Sequence, residues 1–347
     1  MADRTDSGGE GTAPLGPVDA VRRLWEGQTG LAGRFLGAIL TPAELGYRAV
    51  MGARNAAYGA GVAPTDVPPL PAISIGNITV GGTGKTPMVR WVVTQLQRRG
   101  WTPGILHGGY AEDEPALHRR WFPDLPVVAD RDRLRGAGRA MELGADVLVL
   151  DDAFQHRRFG RDLDIVLIAA EAWGRSARLL PRGPYREPPS ALRRADIVVV
   201  TRRTAPPERA AEVEVAVARA SRRPTARVFV DARRWVRPDG SPRQGPPSGA
   251  AIGIAGIARP DDFFDQAEAV GARLEDAIAF PDHHPYSAAE AAAILRLAAG
   301  GPIVTTAKDA VKLAPMMELA DFWILEQKIT FESGREWVLG AVEEVVS

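Results

Sequence analysis

Gly76 to Pro87, GNITVGGTGKTP, is the stretch whose reading decides the fold. It follows a β-rich run, AISIGNI (72–78), and precedes an amphipathic segment, PMVRWVVTQLQRRG (87–100), so it is a strand-to-helix turn. Gly81, Gly82 and Gly84 let the backbone curl until several N–H groups point at one anion, and the helix that follows adds its N-terminal partial charge. Thr79, Gly81, Gly82, Thr83, Gly84, Lys85 and Thr86 are therefore expected to bind a nucleotide. Lys85 would reach the β- and γ-phosphates, and Thr86 would offer its hydroxyl to magnesium. The pattern G-x-x-x-x-G-K-[ST] is broken at one place, where Thr79 takes the first glycine position.

Outward from this loop the chain alternates strand and helix. TPGILHGG (102–109), LPVVAD (125–130), ADVLVLDD (145–152), LDIVLIAA (163–170) and ADIVVVTR (195–202) are near-continuous apolar runs, as in a parallel sheet covered on both faces. A second α/β unit begins near Gly249, with AAIGIAGI, AIAFPD and GPIVTTAKD as strands and helices between them. The expected fold is α/β: a P-loop NTPase core with a parallel sheet flanked by helices, a smaller second α/β domain and an N-terminal amphipathic helix. The boundaries are a disordered lead-in over 1–17, membrane-associating helices over 18–57, the core over 68–204 and the C-terminal domain over 249–347. Residues 205–248 would form a connecting helix, a hairpin and a proline-rich linker.

Composition narrows the function. The 347 residues hold 43 basic and 43 acidic side chains, so no global positive field draws in nucleic acid. With no cysteine there is no disulfide, thiolate metal site or cysteine nucleophile. In the stretch 18–40, Leu24, Leu31, Phe35 and Ile39 recur at near-helical spacing with Arg22, Arg23 and Arg34 among them. That pattern suits a helix lying in lipid headgroups as well as one packed on the protein's own core.

Several acids, histidines and arginines follow strands, where ligand sites of open α/β sheets gather. Asp151 and Asp152 end a buried run and could hold magnesium, or cap the next turn. Gln155 and His156 could touch nucleotide or sugar. EDEP (112–115) is a solvated acidic loop or the source of a base for an attacking hydroxyl. FPDHHPYS (280–287) sets Asp282 beside His283, which suits acid–base work. LPRGPYREP (180–188) holds Arg182 and Arg186 in a stiff loop suited to gripping phosphate. In TTAKDAVK, Asp309 reads as a helix cap.

Taken together and in this order, the motifs resemble the lipid A 4′-kinase (tetraacyldisaccharide 4′-kinase) family. GNITVGGTGKTP, EDEP, LDDAFQHRR, RDLDIVL, LLPRGPYREP, AGIARPDDFF, FPDHHPYS and TTAKDAVKL carry the resemblance across residues 75 to 313. It implies transfer of the ATP γ-phosphate to the 4′-hydroxyl of a lipid A disaccharide precursor at the cytoplasmic face of a bacterial inner membrane. The N-terminal helix would rest on the membrane surface. It also implies that Asp113 pairs with His283 to activate the hydroxyl, Asp113 accepting its proton and His283 orienting Asp113, and that Asp151 and Asp152 work around Mg2+ and nucleotide. Tyr110, Gln155, His156, Arg182, Arg186 and Asp282 are assigned to the substrate. The chain departs from the family where SRGYGG is replaced by LHGGYAE, leaving Gly108 in place of arginine, with Arg119, Arg182 and Arg186 as possible substitutes. Ala153 replaces the glycine of DDGFQH. The alternatives are a P-loop GTPase or metallochaperone, which the adjacent Lys308 and Asp309 disfavour, a soluble small-molecule kinase, and a weakened ATP- and lipid-binding relative.

Overall fold

The apolar runs become strands buried along almost their whole length, because helices cover both faces of the sheet they form. The computed structural model describes residues 30–174 and 177–347, together with residues 21 and 25. The expected lead-in over 1–17 lies outside them. The chain runs α1 (Gly30–Ile39), α2 (Thr41–Gly59), β1 (Ala72–Asn77), α3 (Lys85–Gln97), β2 (Pro103–His107), α4 (Asp113–Trp121), β3 (Val127–Ala129), α5 (Arg133–Glu142), β4 (Val147–Asp151), β5 (Leu163–Ala169) and β6 (Ile197–Arg202). It continues through α6 (Pro207–Ser221), β7 (Thr225–Val236), β8 (Ala250–Ala255), α7 (Pro260–Ala269), β9 (Arg273–Ala279), α8 (Ala288–Ala298), β10 (Ile303–Thr306), α9 (Ala307–Leu313), β11 (Phe322–Ser333) and α10 (Arg335–Val345).

Among the described residues, eleven strands share one sheet, in the order β3-β2-β4-β1-β5-β6-β7-β11-β10-β8-β9. Every pairing is parallel except one, the antiparallel pair of the long strands β7 and β11. The hairpin expected between 205 and 248 is therefore only a short return after β7, where Arg237 N donates to Ser241 O and Arg243 N to Trp235 O. The main antiparallel partner of β7 is the distant β11, which pairs along almost the whole strand, from Arg227 to Val236.

That one antiparallel joint sets the carboxyl ends of the two strand groups facing each other. Phe229 of β7 lies opposite Arg202 at the end of β6. Trp235 lies opposite Leu325, which lies opposite Thr306 at the end of β10. From Phe229 to Trp235 the strand climbs ~20 Å at a rise of about 3.3 Å per residue. A cleft of that width opens between two edges that each collect ligands.

One core cluster joins β1, β4, β5 and β6 to α3 and to Val338 and Val342 of α10. Each of those two valines, fully buried, contributes about 1.5–3 kcal/mol. The second strand group packs on its own clusters around Phe263, Phe264 and Ile294. Helix α2 starts with Pro42 in its first turn, where a missing N–H costs nothing. Two buried carboxylates dock it. Glu44 accepts from Leu179 N at 3.0 Å, and Glu187 accepts from Asn55 Nδ2 at 2.7 Å and from Arg194 at 2.9 Å. Phe35, Leu36, Ile39, Leu45 and Val50 of α1 and α2 remain exposed. Among the described residues no helix is long and apolar enough to cross a membrane.

Candidate active site

The loop after β1 is shaped by its glycines and tied down from two sides. Gly84 caps α3 with φ 86°, where an added Cβ would stand 3.3 Å from Val230. Asn77 Nδ2 donates to Thr83 Oγ1 at 3.0 Å, and Thr201 Oγ1 donates to Thr83 O at 3.0 Å. Arg203 donates to Gly82 O at 2.8 Å, and Thr79 bridges through its main chain to Tyr185. Lys85 and Thr86 open α3, and Lys85 Nζ lies 3.6 Å from Asp152 Oδ1.

Two cavities adjoin each other here, and this loop lines the first of them. One, of ≈290 Å³, runs from the loop residues 80–87 to Phe263 and Gln266 of α7. The other, of ≈590 Å³, lies under α2 and is lined by Tyr47, Met51, Arg54, Tyr110, Gln155 and His156, among others. Glu114, Asp152, Arg186 and His283 line both, so the cavities meet at these four side chains.

At that junction His283 Nδ1 donates to both oxygens of Asp113, at 2.9 and 2.8 Å. Asp113 comes from the first turn of α4 after β2, and His283 from the loop after β9, so the contact spans the cleft. Burial pushes the Asp113 carboxyl up, but the His283 hydrogen bond and the charges of Lys308, His283 and Lys312 together hold it well below the usual range. The Asp113 hydrogen bond raises His283 against the opposing effect of burial. Asp113 was expected to meet the hydroxyl with His283 behind it. The two differ in exposure: Asp113 is 4% exposed and lines neither cavity, whereas the His283 ring is 39% exposed and lines both. Asp282 lies 3.8 Å from His283 Nε2, on the cavity side.

The acids after β4 have unlike surroundings. Asp152, at φ 52°, pairs with Arg186 at 2.8 Å and with Lys85, and burial, which would raise it, is outweighed by those cations. Asp151 is buried, and neither of its carboxylate oxygens accepts a hydrogen bond. Burial, helped by the Glu114 charge, pushes it up to about 7. An orphaned buried carboxylate fits a divalent cation, which would satisfy its oxygens and draw off its proton. Ala153 needs no positive φ, because Asp152 takes that conformation in its place.

The structure separates Arg182 from the rest. It pairs with Glu44 at 3.3 Å and lines neither cavity, because the buried Glu44 requires a cation. Tyr110 sits 83% exposed at the cavity mouth with Arg131 over its ring at 5.6 Å. Gln155 turns inward to Asn77 O at 2.7 Å, and His156 stays on the cavity wall.

Arg133 was missed. Its guanidinium donates to Leu106 O at 2.8 Å and Asp151 O at 3.0 Å, and one of its nitrogens lies 3.3 Å from where a Cβ on Gly108 would be. A guanidinium thus stands beside position 108 although the residue there is glycine, a role expected of Arg119, Arg182 or Arg186. Lys308 of α9, paired with Glu114 of α4, adds a second charged contact across the cleft.

The family described as Tetraacyldisaccharide-1-P 4′-kinase matches residues 36–113 and 111–343. The tetraacyldisaccharide 4′-kinase of Anaeromyxobacter dehalogenans (strain 2CP-C) is 40% identical over 330 residues, covering 85% of this chain and 86% of that protein. The enzyme of the same name from Syntrophus aciditrophicus (strain SB) is 37% identical over 344 residues, covering 86% and 90%. Among solved structures, LpxK from Aquifex aeolicus in complex with ATP superposes with a TM-score of 0.72 at 27% identity, covering 90% of this chain and 100% of that one.

Proposed function

The chain belongs to the tetraacyldisaccharide-1-phosphate 4′-kinase family, and from that membership we propose how its residues divide the reaction among them. The enzyme phosphorylates the 4′-hydroxyl of tetraacyldisaccharide 1-phosphate, a step of lipid A biosynthesis. The GTPase, metallochaperone and small-molecule kinase alternatives fall with this membership.

ATP is the donor and occupies the smaller cavity, its phosphates on the main-chain amides of residues 81–86 and on Lys85. Thr86 and Asp151, with Asp152 beside them, would hold magnesium, which supplies positive charge to the β- and γ-phosphates. The acceptor sugar occupies the cavity under α2, near Tyr110, Gln155, His156 and Arg186, and Asp282 faces it from the smaller cavity beside His283. Its acyl chains remain in the bilayer on which the exposed apolar side chains of α1 and α2 rest, making the protein peripheral to the cytoplasmic face of the inner membrane. The proposed working units are the core over 68–204 and the smaller unit over 249–347, one on each side of the cleft.

In the transfer step the 4′-oxygen bonds to the γ-phosphorus as the bond to the β,γ-bridging oxygen breaks. His283 Nε2 takes the hydroxyl proton, and Asp113 holds the ring by its Nδ1–H and stabilises the imidazolium that forms. A proton acceptor of this strength suffices because a loose transition state releases the proton late, when the hydroxyl is already acidified by phosphorus. Arg186 and Lys85 face the charge that moves.

The observation that carries this reading is the meeting of the two cavities at Glu114, Asp152, Arg186 and His283. The test is transfer of labelled γ-phosphate from ATP to tetraacyldisaccharide 1-phosphate in detergent micelles. Product should require magnesium, vanish in Lys85→Ala, and fall by about 100-fold or more in His283→Ala with ATP binding retained. Near-normal turnover by His283→Ala and Asp113→Asn would remove the pair from the chemistry.

A further inference from the structure

Asp309 is fully buried and takes no part in the chemistry assigned above. Its place in the sequence reads as a helix cap, and it does belong to one. Thr306 Oγ1 accepts from Asp309 N at 3.1 Å and donates to Asp309 Oδ2 at 2.6 Å. A cap needs no more than that, yet the carboxylate takes two further hydrogen bonds from outside its helix. Asp309 Oδ2 accepts from Gly256 N at 3.0 Å, and Oδ1 accepts from the Tyr286 hydroxyl at 3.0 Å.

Both partners adjoin the loop that carries His283. The carbonyl of Gly256 accepts the main-chain N–H of His283 at 3.1 Å, and Tyr286 lies three residues further on. His283 has φ 59°, in the left-handed region that side-chain-bearing residues rarely adopt, so its neighbours must hold it there. Gly256 admits no side chain, since a Cβ would stand 2.9 Å from both Asp309 Oδ1 and the Tyr286 hydroxyl oxygen. The approach of carboxylate to backbone is thus built in.

We propose that Asp309 is a positioning residue for the phosphoryl transfer, holding Gly256 and Tyr286 so that the loop between them presents the His283 ring to Asp113 and to the acceptor hydroxyl. This rests on the role of the Asp113–His283 pair given above. Asp309 acts through the loop and through Lys312, whose Nζ lies 3.6 Å from Asp309 Oδ1 and 3.6 Å from Asp113 Oδ2, and it touches neither substrate.

The test is a double-mutant cycle on the full-length enzyme, comparing Asp309→Asn, His283→Ala and the combination in the micelle assay. Asp309→Asn is expected to lower kcat by about 10- to 100-fold, the loss that a misplacement of order 1 Å produces, with KM for ATP changed by less than about twofold. Added to His283→Ala, it should lower kcat by less than about twofold, because the residue it positions is gone. The same loss in both backgrounds, or wild-type kcat in Asp309→Asn, overturns the proposal. If Asp309→Asn fails to fold by circular dichroism, Tyr286→Phe enters the same cycle and is judged by the same two outcomes. Wild-type turnover by His283→Ala alone sinks the role of the pair itself, whereas an impaired His283→Ala with additive losses sinks only the role of Asp309.

Discussion

An imidazole whose Nδ1–H is held by a carboxylate keeps its proton to higher pH than a free one, near 6.5, and His283 is raised for that reason. Only the neutral ring can accept the hydroxyl proton, so kcat should climb as pH rises through the raised value. In Asp113→Asn the hydrogen-bonded charge is lost and the ring's pKa falls. The acid limb of the pH–rate profile should then move to lower pH while its plateau drops. A limb that stays in place would show that another group sets it. The phosphate loop was legible at this scale because its glycines, Lys85 and Thr86 are covalent neighbours with a fixed pattern. The contact between Asp113 and His283, 170 residues apart, came only from family resemblance, since no local pattern joins them. Arg133 was not legible at all: its place beside Gly108 exists only once α5 has packed against β2.

Helix α2 is held to the core by apolar contact through Tyr47 and Met51 and by buried charge. Glu187, fully buried, accepts from Asn55 of α2, from Arg194 and from Gln155. Glu187→Gln keeps the volume but leaves Arg194 without its carboxylate, which should destabilise the fold by about 3 kcal/mol. Urea unfolding would register this as a lower midpoint at unchanged slope. Element types were readable because strands and helices carry different periods, and the runs at 72–78, 145–152 and 195–202 matched strands. The partner of β7 was not readable. Its alternating burial says that one face is covered and says nothing about which strand lies alongside, and β11 begins more than eighty residues later.

Across the whole molecule, the exposed side chains Phe35, Ile39, Leu45 and Val50 lie on α1 and α2, and α2 lines the larger cavity. If they rest on lipid, changing Phe35, Ile39 and Leu45 together to serine should sharply reduce co-sedimentation with anionic vesicles. Turnover of substrate dispersed in detergent should persist. Equal co-sedimentation of both proteins would locate the membrane contact elsewhere. Two α/β units were visible in the sequence, but the direction in which their strand ends point was not, because it depends on the single antiparallel pair.

That pair also has a consequence for synthesis. β11 is the last described strand along the chain, yet it lies between β7 and β10 in the sheet. A ribosome delivers the N-terminal segments first, so β8, β9 and β10 emerge with no strand to splice them to the earlier half. Only when residues 322–333 are translated does the bridging seam close, and α10 then returns to the first core as a clasp. A message cut short before Phe322 would release two nascent lobes with matching raw edges and no active centre between them.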